Sequence, residues 1–108
     1  MVTLNEYSCF ANLTDKPALS KTGSGEDVVN FRIAVNSGGK KNDTKTEGAT
    51  FVDVEAFAGL ARLCAEKLQS GSFVFLKGRL KSTDWDGGAK SKLYLRADNI
   101  QFLDFLTR

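Results

Sequence analysis

Phe51, Asp53, Glu55 and Phe57 occupy alternate positions of TFVDVEAF, so an extended chain carries all four on one face and Val52, Val54 and Ala56 on the other. If the valine face packs inward, two aromatic rings stand outside among charges. Nucleobases stack on such rings for about 1–3 kcal/mol each with little regard to sequence, because every base has a π face. A subunit interface or a packed helix would use the same apolar surface, and the rings alone do not choose between these uses. Trp85, the one tryptophan, sits between Asp84 and Asp86 in the polar stretch STDWDGGAKS, where burial in its own core is hard to arrange. It is a further candidate platform for a base.

Lys77, Arg79, Lys81, Lys90, Lys92 and Arg96 fall in one stretch of chain that also holds Tyr94, and Phe75 lies just before it. With Arg32 and the cluster Lys40, Lys41 and Lys45 they could follow the phosphates of a nucleic acid strand. Taken alone, a charge run is what an ordinary solvated face presents. Aromatics and cations on the same strands make the joint pattern stronger than either part. The net charge of +2 permits a polyanionic partner without requiring one.

The parts of an enzyme are scarce. The chain has no histidine, which removes Ser-His-Asp and Cys-His machinery and the common zinc ligand sets. Asp53 and Glu55 read as solvated strand carboxylates, so no metal and no other cofactor is expected. Gly23-Ser24-Gly25 has no third glycine, no G-K-[ST] and no following helix, and reads as a turn rather than a phosphate loop. Cys9 and Cys64 form no C-x-x-C pair and are expected as buried, reduced thiols. The expectation is a non-catalytic protein. No apolar run is long enough to span a membrane, and Met1 to Tyr7 lacks the start of a secretory signal, which points to a cytoplasmic protein with no membrane partner.

The elements that must carry these residues are mostly strands. VVNFRIAVN alternates Val29, Phe31, Ile33 and Val35 with Asn30, Arg32, Ala34 and Asn36, the pattern of a half-buried strand from Val28 to Asn36. A polar, glycine-flanked run from Ser37 to Gly48 reads as a loop. The second alternating strand is Thr50 to Phe57. From Gly59 to Gln69 the period changes to that of a helix, with Leu60, Leu63, Cys64 and Leu68 on one side and Gly71 as a left-handed stop. Ser72 to Leu80 and Lys92 to Ile100 alternate again around a hairpin signal at Asp86-Gly87-Gly88. Asn5 to Leu13 is a strand whose facing the pattern leaves open. A length of 108 residues with 42% hydrophobic content suits one domain covering residues 1–108. The order predicts an all-β five-stranded OB-fold barrel with one short helix between strands 3 and 4.

The segments ANLTDKPAL, VVNFRIAVN, FVDVEAFAGLA, CAEKLQSGSFVFLKGRL and ADNIQFL closely resemble, in this order, the core of the bacterial-type single-stranded DNA-binding protein family. The resemblance covers nearly the whole chain. It implies an OB fold, homo-oligomers that are usually tetramers with a dimer as the other possibility, and sequence-tolerant binding of single-stranded DNA in replication, recombination or repair. It also implies a nucleoid-associated protein. Phe51 and Phe57 match the family's stacking aromatics on the third strand, and Trp85 matches its hairpin tryptophan.

Two departures stand out. Gly38-Gly39 replaces a further aromatic after the second strand. The family's tail with an acidic tip, which recruits replication and repair proteins, does not follow, because the chain stops at Thr107-Arg108. That is expected either from removal of the tail or from a tailless phage, plasmid or accessory form. Two rival readings accompany this one: a primosomal accessory OB protein bridging replication partners, and a protein–protein adaptor in which Phe51, Phe57, Phe73 and Phe75 are buried in an assembly. RNA as ligand is not excluded by the residues.

Overall fold

Alternation of the type in VVNFRIAVN buries one side of a strand, and in the computed structural model, which describes residues 3–36, 48–85 and 87–104, it does so. The elements are β1 (Tyr7–Leu13), β2 (Ala18–Lys21), β3 (Asp27–Asn36), β4 (Ala49–Phe57), α1 (Ala58–Lys67), β5 (Phe73–Trp85) and β6 (Lys90–Phe102). Val29, Phe31 and Ile33 of β3 enter the core with Val54 and Ala56 of β4, Val74 and Leu76 of β5, and Leu95 and Ala97 of β6. β1 contributes Ala11 and Leu13, which settles the facing that its sequence left open.

The pairings run β1–β5–β6–β4–β3, and β1 returns to β3 through Asn12↔Ala34 and Leu13↔Ile33, so the five long strands close a ring. Four of the pairings are antiparallel. The exception joins β4 to β6 in parallel at Val54↔Leu95 and Glu55↔Arg96. This is the expected all-β arrangement, with α1 between the third and fourth long strands.

β2 is an addition to the five expected strands. Pro17, which has no N–H to donate, interrupts the chain after β1. Ala18 to Lys21 then pairs with Asn30 to Asp27, on the stretch of β3 that precedes its pairing with β1. All four β2 residues are exposed, so no apolar alternation announces it. Gly25, at φ 91°, turns the chain between β2 and β3, so Gly23-Ser24-Gly25 is the turn expected.

The helix buries Ala61 and Cys64, and Leu68 at its C-terminal end is buried with them, while Leu63 is left 39% exposed. Cys64 and Leu68 are buried and Leu60 packs against the core as expected, so the stripe departs only at Leu63, and Ala61 enters the core in addition. The Lys16 ammonium donates to the carbonyls of Ala65 and Leu68, both at 3.2 Å, and satisfies acceptors that a helix end leaves open. Gly71 is left-handed, at φ 88°, but it lies beyond the helix end, where its N–H donates to the Leu13 carbonyl at 2.9 Å. It redirects the chain into β5 instead of capping α1.

β5 and β6 form a hairpin longer than the alternation indicated, continuing to Trp85↔Lys90 around Gly87 and Gly88, both at positive φ. The polar residues of this outer half conceal the strand period. Leu80 and Leu93, on the inward parity, are 40% and 66% exposed because the hairpin here outruns the ring. Cys64 is buried, which pushes its thiol up to about 11, whereas Cys9 is only half-buried. Both cysteines are free. Among the described residues, no helix is long and apolar enough to cross a membrane.

Candidate nucleic-acid interface

Strand register assembles the outward face. β3 and β4 place Asn30 beside Glu55, Arg32 beside Asp53 and Ala34 beside Phe51. The parallel contact sets Glu55 beside Arg96, and the hairpin sets Lys81 beside Tyr94 and Thr83 beside Lys92. With Val54 and Leu95 committed to the core, alternation turns Asp53, Glu55, Tyr94 and Arg96 away from it. Between these strands and the turn after β1 lies an open groove of about 840 Å³, lined by Thr14, Asp15, Asn30, Arg32, Phe51, Asp53, Glu55, Thr83, Lys92 and Tyr94, among others.

Phe51 is 54% exposed, a large apolar surface on a strand whose other side is core. Phe57 is half-buried, and the Arg96 guanidinium stands over its ring at 4.0 Å from the centroid. One face of that ring is thus engaged in a cation–π contact. Tyr94 is half-buried in the groove wall.

Asp53 sits at the centre of the charged lining. Its carboxylate accepts from Lys92 Nζ at 2.6 Å and from Arg32 Nε at 3.1 Å, linking β6 and β3 across β4. These hydrogen bonds, from Lys92 first and Arg32 second, hold its carboxyl below the usual carboxylate range against the opposing effect of burial. Strand alternation alone does not announce this bridge, although Lys92 shares the parity of Tyr94 and Asn30 that of Arg32. Thr14, Asp15 and Thr83 reach the groove only through the fold.

The other expected residues divide. Lys81 lies on the groove parity of the hairpin and, among the described residues, forms no ion pair. Arg79 is held by Asp98 through two bonds of 3.1 Å, and Lys77 by Glu6 at 3.1 Å. Phe75 does not line the groove: it packs at 5.2 Å against Phe10, which also stacks on Phe73 at 6.1 Å. Trp85 closes β5 opposite Lys90, and its side chain lies outside the described part of the molecule. Gly38, Gly39, Lys40, Lys41 and Lys45 also lie outside the described residues.

Comparison with known proteins bears on this face. Residues 4–103 match the model of the single-strand binding protein family. The chain is 32% identical over 84 residues to the "Single-stranded DNA-binding protein 1" of Chlorobaculum tepidum, covering 77% of this chain and 52% of the relative. It is 31% identical over 104 residues to the "Single-stranded DNA-binding protein" of Aquifex aeolicus, covering 94% and 71%. The corresponding protein of Borreliella burgdorferi is 32% identical over 105 residues, with 94% and 70% covered. The chain thus spans between about half and about seven-tenths of the length of these relatives.

Proposed function

Because the chain belongs to the single-strand binding protein family, we propose that its β3–β4–β6 face binds single-stranded DNA with little regard to sequence. One observation carries this reading: Phe51 and Tyr94 line the same groove as Arg32 and Lys92, so rings for bases and cations for phosphates are offered together. Bases stack on Phe51, on Tyr94, on the Phe57–Arg96 pair and on Trp85. Arg32, Lys81, Lys92 and the Lys40, Lys41 and Lys45 cluster neutralise phosphates. No bond is made or broken, and the protein acts in the cytoplasm by protecting strands exposed during replication, recombination or repair.

The family names of the relatives support this reading, and the open form of the groove suits a ligand that threads along the sheet. The same reading makes the chain one domain that assembles with copies of itself. Phe10, 59% exposed, stacked on Phe73 and tilted against Phe75 on the outside of β1 and β5, is the apolar surface that assembly would cover. A tetramer is favoured over a dimer by the family resemblance, and replication proteins are the partners expected of such an assembly.

Fluorescence tests the proposal directly. Oligo-dT should quench Trp85 much more than duplex DNA does, and log K should fall linearly with log salt, at a slope of about −0.7 per phosphate contacted. An equal response to single and double strands would remove the selectivity, and a salt-insensitive affinity would remove the phosphate contacts. Competition between matched DNA and RNA strands then decides the ligand's sugar.

A further inference from the structure

The cations that face the groove are not all available to a ligand in the free protein. Arg32 and Lys92 come from strands on either side of β4, and both are spent on the single carboxylate of Asp53. The three charges sum to +1. The two cationic side chains are 54% and 58% exposed, whereas Asp53 is 28% exposed and anchored on the middle strand. The acid is therefore the fixed member, and the cations are able to swing away from it. Surface ion pairs of this kind are weak enough for a phosphate to replace the carboxylate.

We infer that Asp53 is a built-in competitor for phosphate, occupying Arg32 and Lys92 when the groove is empty and releasing them to the strand when it binds. The inference rests on the single-strand reading above and adds to it what limits the affinity. The charged and titratable groups around Asp53 agree with that role. Arg32 flanks it on β3, Lys92 and Tyr94 on β6, and Glu55 on its own strand, while Asp15 reaches the groove from the turn after β1. The lining therefore holds three acids to two cations, and Asp53 is the acid that touches both cations.

A carboxylate left beside a bound phosphate also repels it, so the competitor makes binding both weaker and more readily reversed. Its removal changes the charge of the triad from +1 to +2. At a solvated surface one charge beside a phosphate is worth about three- to tenfold in affinity. Because Asp53 stands on the outer face, replacing it leaves no charge stranded in the core.

The experiment is a titration of the full chain with oligo-dT over a series of salt concentrations, comparing wild type with Asp53→Asn and Asp53→Glu, each checked by thermal melting. Asp53→Asn is expected to bind about three- to tenfold tighter at low salt, with a salt slope steeper by about 0.7, one phosphate's worth. Asp53→Glu keeps the charge and should stay close to wild type. Asp53→Ser carries the same expectation as Asp53→Asn should the amide variant melt early. Lys92→Met should weaken binding more in the Asp53→Asn background, where that lysine is free, than in wild type. Equal or weaker binding by both neutral variants, with the wild type binding normally, overturns the role of the carboxylate alone. Failure of all the chains to bind oligo-dT would instead overturn the single-strand reading and this inference with it.

Discussion

Two groups of aromatic rings stand on the outside of the same ring of strands, and their neighbours differ. Along β3, β4 and β6, Phe51 and Tyr94 share a groove with Arg32, Asp53 and Lys92. On β1 and β5, Phe10 stacks on Phe73 and meets Phe75 at a tilt, and Lys77 of the same strand as Phe73 and Phe75 is held by Glu6. An exposed ring therefore does not declare its use. Rings interleaved with charges suit a ligand that is aromatic and anionic at once, whereas rings clustered among themselves suit a second apolar surface.

The largest effect expected is on both regions together. Gly78 of β5 pairs with Ala97 of β6 beside the bulge at Asp98, where the strands of the two regions meet. A methyl group added there would be driven into the backbone carbonyl of Arg96, which cannot yield as a flexible side chain would. Gly78→Ala should cost about 3 kcal/mol of stability, read from the urea midpoint. An unchanged midpoint would show that the sheet can slide at the bulge.

Next in size is the separation of the two regions by truncating rings. Phe51→Ala and Phe57→Ala should each lose about 1–3 kcal/mol of oligo-dT binding while leaving self-association intact. Phe10→Ala and Phe75→Ala should do the reverse, as judged by sedimentation. If the β4 variants dissociate the assembly and still bind DNA, the two uses must be exchanged and the adaptor reading gains.

A smaller effect sharpens the electrostatic side of the comparison. Lys81→Ala should reduce the salt slope by about 0.7, the value of one phosphate contact, whereas Lys77→Ala should leave it nearly unchanged. Equal slopes for the two variants would mean that the hairpin face does not distinguish its two ends.

The smallest concerns a second carboxylate held by two cations, this one remote from the groove. Asp27 is nearly buried and accepts from Lys21 and Arg62, each at 2.7 Å. Hydrogen bonds from Lys21 and then Arg62 lower its pKa, so its contribution to stability is present at neutral pH and is lost as pH falls from about 4 through the depressed folded value. Asp27→Asn should flatten that acid limb of the melting curve without altering DNA affinity. A change in affinity would place Asp27 in the interface after all.

Much of the fold was legible because burial on one side of a strand imposes a period of two. Val29, Phe31 and Ile33 on β3, and Val54 and Ala56 on β4, could be assigned to the core from that period, and it exposed Phe51 in the same step. Where both sides are wet, the period vanishes. The fully exposed β2 and the outer end of the β5–β6 hairpin, Lys81 to Trp85 with Lys90 and Ser91, carry no such signal for that reason. The helix stripe departs from its period at Leu63, which is exposed, while the small Ala61 is buried; a period set by large apolar residues does not register an alanine.

The amino-acid order determined which residues each strand turns outward and the kinds of ligand chemistry they offer, since parity is a local property of an extended chain. It could not say which outward faces become neighbours. That was decided by the parallel contact of β4 with β6 and the antiparallel contact with β3, which bring Arg32 and Lys92 onto one carboxylate and Arg96 over Phe57. Coulomb attraction and stacking act over a few ångströms of space, and only the closed ring of strands brings residues so distant in the chain within that reach.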